Sequence, residues 1–214
     1  MSKTYFISDL HFNHKNVLRY EPSRIDATLD YMVNVLGLYV DFTKDDVLND
    51  FNSDNKDLVF KVLKYHDDML IYKWNKKVKK GDTVWFLGDL GMGNKEYLKE
   101  CVSKLNGDKR IIRGNHDNLP DEYYRNIGFN FVSKYPVILK NFFVLSHHPL
   151  EWMHPMSSPF YFIYGHVHSL PQFITATENS RCVCVERQEF EPIEIKEFNQ
   201  YQPDDTIDLH KNMK

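Results

Sequence analysis

The stretch KRIIRGNHD at residues 109–117 decides the fold, because a short apolar run in it stops abruptly in polar residues. Four other runs have the same form: TYFISDLH at 4–11, TVWFLGD at 83–89, FFVLSH at 142–147 and FYFIYGHVH at 160–168. Nearly continuous apolar runs of this length are typical of strands buried on both faces. Ligands of open α/β sheets bind just beyond the carboxyl ends of such strands. We therefore predict an α/β protein whose strand-end polar residues form one site.

The side chains at these strand ends predict a metal site. They offer oxygen and imidazole nitrogen donors and no thiolate, a set that suits Mn²⁺, Fe, Zn²⁺ or Mg²⁺ better than a closed structural zinc site. They are too many for one tetrahedral ion, but they suit two ions about 3.5–4 Å apart that share a bridging ligand. The candidate ligands are Asp9, His11, Asp89, Asn115, His147, His166 and His168.

In chain order, these residues form a pattern that resembles the signature of the calcineurin-like metallophosphoesterase family. The pattern consists of Asp9-x-His11, Gly88-Asp89, Gly114-Asn115-His116-Asp117, His147 and Gly165-His166-x-His168. The resemblance runs from about residue 4 to 168, and the opening SDLHFNHKN most resembles small, single-domain bacterial and phage-type members. It implies a four-layer α/β/β/α sandwich, in which two sheets with mainly parallel cores face each other and helices lie outside.

The resemblance also implies an activity and a division of the ligands. The activity is hydrolysis of phosphodiesters or phosphomonoesters by a hydroxide that bridges two divalent ions. Mn²⁺ is the expected metal, with Fe, Zn²⁺, Mg²⁺ and Ni²⁺ as alternatives. One ion would be held by Asp9, His11 and His168 and the other by Asn115, His147 and His166, with Asp89 bridging them.

Two further residues of the signature receive catalytic roles from the resemblance. His116 would contact the phosphate and protonate the leaving oxygen, and Asp117 would orient His116. Such a pair is the usual arrangement of a general acid and its orienting group.

Composition limits the domain count and the partners. With 214 residues, 42% of them hydrophobic, the chain suits one packed domain, which we place at 1–198 with a polar tail at 199–214. A net charge of −3 disfavours a long nucleic acid as partner, so we expect a small, nucleotide-like phosphoester. No run reaches membrane-spanning length and the first residues form no apolar leader, so we expect a cytoplasmic protein without a membrane partner.

Helical periodicity is strongest in the first half of the chain. It predicts helices over about 28–40, 43–51 and 56–79, and further helices from Asn94 and Pro120. Relative to the compact family pattern, about 24–65 is a helical expansion. It could shape substrate access, form a homodimer face or simply extend the core. Lysines at 73–80 are interpreted as a solvated helix end that opposes the helix dipole, in preference to a nucleic-acid contact.

Candidate substrate contacts come from two loops. Asn13, His14 and Arg19 follow the first ligands, and His148, Trp152 and His154 follow His147 in a segment rich in proline. Capping or tying down a loop is the alternative role for these residues. Beyond the signature, 172–177, 181–187 and 192–198 are predicted strands, and Cys182 and Cys184 are predicted to be buried free thiols.

Two other functions remain open at this point. A binding module on the same fold, like the phosphoesterase-like subunit of the retromer coat, would need no chemistry, and a nuclease would need a longer substrate. Because His116 and every predicted ligand are present, the hydrolase is the favoured interpretation.

Overall fold

The computed structural model describes residues 2–150 and 160–198, in which two β-sheets and their flanking helices form a mixed α/β fold. Trp152, His154 and the polar tail lie outside these described residues. None of the helices in the described part of the chain has the length and apolar character needed to cross a membrane.

The first sheet has five strands in the order β4-β3-β2-β1-β9. Its central strands are parallel, and β9 is an antiparallel edge. The strands are β1 (Thr4–Ile7), β2 (Thr83–Phe86), β3 (Asp108–Ile112), β4 (Phe129–Ser133) and β9 (Ile193–Glu194). The parallel register brings the carboxyl ends of β1, β2 and β3 to one edge, which is where the site forms.

The second sheet has four strands in the order β5-β6-β7-β8. Strand β5 is antiparallel to β6, and the other pairs are parallel. The strands are β5 (Val137–Leu139), β6 (Phe143–Ser146), β7 (Tyr161–Tyr164) and β8 (Ser180–Cys182). Because Gly165 donates its N–H to the carbonyl of His147, the ends of β6 and β7 are locked side by side.

The two sheets face each other across an apolar layer that includes Phe6, Trp85, Leu145 and Ile163. A larger core on the other face of the first sheet is closed by helices, with Trp74 and Leu98 among its members. The cluster on the outer face of the second sheet contains residues of strands and connecting segments, and none from a helix within the described ranges. The expected fourth, helical layer is therefore not seen in that part of the chain.

The helices lie in the connections of the first sheet. They are α1 (Lys15–Tyr20), α2 (Ser23–Asp30) with a π-helical continuation (Tyr31–Val35), α3 (Lys44–Asp50), α4 (Asp57–Lys77), α5 (Lys95–Lys104) and α6 (Asp121–Asn126). Thr43 and Asp46 form a capping box on α3, and Asn94 caps α5 through its side chain. The helix predicted at 28–40 in fact begins at Ser23 and ends before Gly37, whose φ of +65° stops it.

The carboxy-terminal predictions need correction. Residues 172–177 form turns and bends with a single β-bridge from Ala176 to Arg181. Arg187 donates to the carbonyl oxygens of His168, Leu170 and Phe173 and holds the start of this segment. Only parts of the other two predicted strands are β8 and β9, and 3₁₀ turns follow them at Val185–Arg187 and Ile195–Glu197. Strands β4 and β5 were not predicted. The predicted burial of Cys182 and Cys184 as free thiols is confirmed.

Candidate metal centre

The predicted ligands converge because five strands end at the same place. Several of them follow a strand in left-handed backbone conformation, which non-glycine residues adopt at a cost of about 1–3 kcal/mol each. The φ angles are 60° at Asp9, 53° at His11, 59° at Asp89, 71° at His166 and 44° at His168. This backbone strain is concentrated at one site, as is typical of functional positions.

Asp9, His11 and His168 form the first group. Asp9 Oδ1 lies 3.8 Å from His11 Nε2 and 3.6 Å from His168 Nε2. The other oxygen of Asp9 accepts hydrogen bonds from the Ser8 hydroxyl and from the backbone N–H of His166. Those bonds leave Oδ1 directed at the two imidazoles, so the three donor atoms surround one point.

Asp89 lies between this group and a second one. Its Oδ2 is 3.6 Å from His11 Nε2 and 3.5 Å from His147 Nε2, while its Oδ1 accepts the backbone N–H of His116. The carboxylate therefore faces donor atoms on both sides, as a bridging ligand must.

The second group contains Asn115, His147 and His166. His147 Nε2 is 3.0 Å from Asn115 Oδ1 and 3.2 Å from His166 Nδ1. The other ring nitrogen of His147 is 2.7 Å from the carbonyl oxygen of Leu87, to which it donates, and this fixes the ring orientation.

The glycines of the signature allow the strand ends to approach closely. A Cβ on Gly114 would collide with the Asp89 carboxylate, and one on Gly165 would collide with the side chains of Ser8 and Asp9. A substitution at either position would push a predicted ligand out of place.

The donor set fits divalent ions. Asp9 Oδ1 and His11 Nε2 are buried and have no hydrogen-bond partner among the described residues. Buried polar atoms are rarely left in this way, because an unmade hydrogen bond costs about 1–3 kcal/mol. A cation between them would satisfy both atoms, so the residues fit the two ions that the signature implies.

His116 and Asp117 differ in their surroundings. The His116 ring is 39% exposed at the mouth of the site, and its Nε2 is 3.9 Å from Asp89 Oδ2. The Asp117 carboxylate is buried and accepts the backbone N–H groups of Asp89, Leu90 and Gly114, and within the described ranges it makes no hydrogen bond with the His116 ring. Through these hydrogen bonds Asp117 ties together two ligand-bearing loops, and its role in orienting His116 stays a prediction.

The candidate substrate contacts divide into two groups. His14 and His148 are at the site: His14 Nδ1 is 3.1 Å from His11 Nδ1, and the His148 ring centroid is 4.1 Å from that of His166. Asn13 uses its side chain to donate to the carbonyl of Met92, and Arg19 is exposed on α1. The structure thus favours His14 and His148 over Asn13 and Arg19 for substrate contact.

Sequence reasoning missed two buried charged residues beneath the first group. Glu186 Oε1 is 3.0 Å from His168 Nδ1, and Arg24 forms an ion pair with Glu186. Glu186 also follows a strand, β8, but the strand predicted at 181–187 extended past it, so the sequence did not mark Glu186 as a strand-end residue. His66 of α4 is also buried and lies 3.1 Å from an Arg24 nitrogen.

Protonation of the site without bound ions is uneven. Burial lowers the pKa of His14 and of His166 to about 4 and holds that of His11 well below its usual value. Burial raises the pKa of Asp89 to about 6. For His168, burial lowers the pKa, but the hydrogen bond with Glu186 and the charges of Asp9 and Glu186 outweigh it and raise the pKa to about 9.

These values predict proton release when the first ion binds. At pH 7.5 the His168 imidazole is protonated on both ring nitrogens, and the proton on Nε2 must leave before this nitrogen can bind a metal. Asp89 is already ionised at this pH. Affinity for the first ion should therefore rise about tenfold per pH unit up to about pH 9. Calorimetric titration of chelator-treated protein with Mn²⁺ in HEPES and in Tris should show at least about one proton released per chain, which is the proton of His168. Release of no proton would contradict this assignment.

Comparisons with known proteins agree with the fold and the ligand pattern. A model of the calcineurin-like phosphoesterase family matches residues 2–211. The uncharacterised protein MJ1445 of Methanocaldococcus jannaschii is 29% identical over 201 residues, which cover 91% of this chain and 88% of that protein. The gene 66 protein of Mycobacterium phage L5 is 30% identical over 120 residues, 55% of this chain and 41% of that protein.

A solved structure shares the fold. The protein of unknown function AQ665 from Aquifex aeolicus superposes with a TM-score of 0.58 at 21% identity, over 92% of this chain and 97% of that one. This likeness concerns the fold, and the family match covers nearly the whole chain. The chain belongs to the calcineurin-like phosphoesterase family.

Proposed function

We propose that this protein is a hydrolase that cleaves small phosphodiesters with the help of two divalent metal ions, Mn²⁺ being the expected metal. The observation that carries the proposal is the position of Asp89, whose Oδ2 lies 3.6 Å and 3.5 Å from the facing nitrogens of His11 and His147. Two groups of predicted ligands thus share one carboxylate beside a half-exposed histidine. This arrangement suits phosphoryl chemistry better than protein binding alone.

When bound, the two ions would activate a water molecule and neutralise charge on the phosphoryl oxygens. The residues of this chain would supply the remaining functions. His116 lies at the mouth of the site, where it can contact the phosphate and give a proton to the leaving oxygen. His14 and His148 flank the predicted ligands and can hydrogen-bond the phosphate as it enters.

A cavity beside His116 supports a small leaving group. It has a volume of about 200 Å³ and is lined by Leu90, Met92, Lys95, Leu98, Leu119 and Tyr124. A cavity of about 150 Å³ can hold benzene, so this one suits one aromatic ring or a small bicyclic group. Because His116 also lines the cavity, a group seated there would place its ester oxygen near the proposed acid. This supports a nucleotide-like or aryl ester.

The alternative functions are disfavoured by particular features. A binding module could dispense with His116 and with the ligand set, yet all of these residues are present. A nuclease acting on long chains gains from a basic surface, and the net charge of this chain is −3. Phosphomonoesters and short oligonucleotides remain the nearest competing substrates.

A substrate panel tests the proposal. Chelator-stripped protein, reloaded with Mn²⁺ or Ca²⁺, would be assayed on aryl phosphodiesters, cyclic nucleotides, mononucleotides and single-stranded oligonucleotides. We expect no activity without metal and more with Mn²⁺ than with Ca²⁺, whose larger, oxygen-preferring shell suits imidazole ligands poorly. Small diesters should be the best substrates. Full activity after chelation, or strong salt-sensitive cleavage of the oligonucleotides, would contradict the proposal.

A further inference from the structure

A buried arginine connects the helical expansion to the first group of predicted ligands. Arg24 lies in α2 and has no exposed surface. Its Nη2 donates to the carbonyl oxygen of Asp9 at 2.7 Å, and its Nη1 donates to that of Leu10 at 3.0 Å. Burying a guanidinium costs free energy unless it is paired and hydrogen-bonded. The hydrogen-bond partners of Arg24 include the backbone carbonyl groups of Asp9 and Leu10.

What Arg24 holds is the strained turn that carries two ligands. Asp9 and His11 have φ angles of 60° and 53°, and the two carbonyl groups bound by Arg24 lie within this turn. Strained backbone of this kind persists only when its surroundings over-determine it. Without the fork of Arg24, the turn could relax and move both side chains away from a shared ion.

Glu186 extends the same support to the third ligand. Its Oε1 accepts from Arg24 Nε at 2.7 Å and Nη2 at 2.5 Å, and it lies 3.0 Å from His168 Nδ1. A carboxylate on one ring nitrogen of a metal-binding histidine fixes the tautomer, so that the other nitrogen is free to bind. Here that other nitrogen, Nε2, points at Asp9 Oδ1.

The guanidinium is itself held by α4. His66 Nε2 is 3.1 Å from Arg24 Nη1, and since arginine can only donate, Nε2 must accept. His66 then carries its proton on Nδ1 and donates to Asp67 Oδ1 at 2.9 Å. Asp67 Oδ2 accepts the backbone N–H of Asn13, just beyond the strained turn. Arg24 of α2 and Asp67 of α4 thus both hydrogen-bond to the backbone of this segment.

We infer that Arg24 and Glu186 are positioning residues for the first metal ion, and that the helical expansion at about 24–65 delivers Arg24 to this site. The inference rests on the proposed two-metal function. Its effect is selective: in the described residues, neither Arg24 nor Glu186 contacts Asn115, His147 or His166, and the His147 ring is fixed by Leu87 instead. Loss of either residue should weaken binding of the first ion and leave binding of the second ion unchanged.

Metal titration of the purified full chain tests this. Mn²⁺ binding to chelator-stripped wild type, Arg24→Met and Glu186→Gln would be measured by calorimetry, and metal content after dialysis by elemental analysis. Wild type should bind two ions. In each variant we expect one ion to bind about 10–100-fold more weakly, with the affinity of the other unchanged. Arg24→Lys keeps the positive charge but loses the forked guanidinium geometry, so its affinity for the first ion should lie between those of wild type and Arg24→Met.

The controls separate a positioning role from a structural one. Arg125→Met on α6, where Arg125 is exposed, should bind both ions as wild type does. Circular dichroism and thermal unfolding of the metal-free proteins report folding; if Arg24→Met does not fold, the nearly isosteric Glu186→Gln decides. The inference would be overturned if both ions bound equally more weakly, if binding of both ions were unchanged, or if neither variant folded. A wild type that binds fewer than two ions would instead overturn the proposed function.

Discussion

Alanine at position 89 is expected to remove both metal ions from the protein and to abolish phosphoester hydrolysis. The Asp89 carboxylate lies between the two groups of predicted ligands, with Oδ2 within 3.6 Å of nitrogens in both. Its position makes it the predicted bridging ligand. Two cations about 3.5–4 Å apart repel each other strongly, and without a shared anion neither should stay bound at micromolar concentrations.

Metal content and activity of Asp89→Ala and Asp89→Asn would be compared. The asparagine variant keeps an oxygen that can accept the His116 backbone N–H, so its loss of metal would report the missing charge rather than a collapsed loop. Asp108→Asn is the control, since Asp108 begins β3 at the opposite end of the strands and pairs with Arg110. Two tightly bound ions in Asp89→Ala would remove the bridging role.

Alanine at position 116 should give a different result, with metal content near wild type and a rate lower by about 10²–10⁴. The His116 side chain is more exposed than those of His11, His147 and His168, and its Nε2 is 3.9 Å from Asp89 Oδ2. Its ring is therefore placed to meet substrate rather than an ion.

The size of this deficit should depend on the leaving group. p-Nitrophenolate is a stable anion and needs little protonation, so the deficit of His116→Ala should be small for a p-nitrophenyl ester and larger for an alkyl or ribose ester. Both substrates would be compared in single-turnover reactions, so that chemistry limits the rate. Loss of metal from the variant, or an equal deficit for both leaving groups, would end the general-acid assignment.

The part of the fold that carries the site was predictable because one physical signal marks it. The apolar residues at 5–7, 84–86 and 111–112 are buried in strands β1, β2 and β3, and polar residues follow each of these strands closely. The same signal placed Asp9, Asp89 and Asn115 at one sheet edge. Helices α3 and α4 were likewise predictable from capping and periodicity, and the stripe of Val59, Leu63, Leu70, Trp74 and Val78 is buried as expected.

The missed features have no local signal of that kind. A charged residue in a helix is usually exposed to solvent. The burial of Arg24 is explained by its contacts with Asp9, Leu10 and Glu186, which are distant from it in sequence. Strand β4 has five residues, and its two consecutive exposed residues break the alternation that would mark a strand in the sequence. The Asp117 carboxylate accepts one backbone N–H from its own loop and two from the loop after β2, a contact that no sequence pattern specifies.

The predicted homodimer stays a prediction. Val33, Val35, Leu36 and Tyr39, at the end of the π-helical turn and just after it, are 43–90% exposed, so this part of the expansion presents apolar surface. The positioning role inferred for Arg24 concerns the opposite, buried side of the same segment. Both roles can coexist on one segment.

Anomalous scattering from crystals grown with Mn²⁺ tests the proposed two-metal site most directly. Difference maps at the manganese edge should show two peaks about 3.5–4 Å apart. One peak should lie among Asp9, His11 and His168 and the other among Asn115, His147 and His166, with the Asp89 carboxylate touching both. A single peak, or two peaks away from these side chains, would contradict the two-metal site on which the proposed hydrolysis depends.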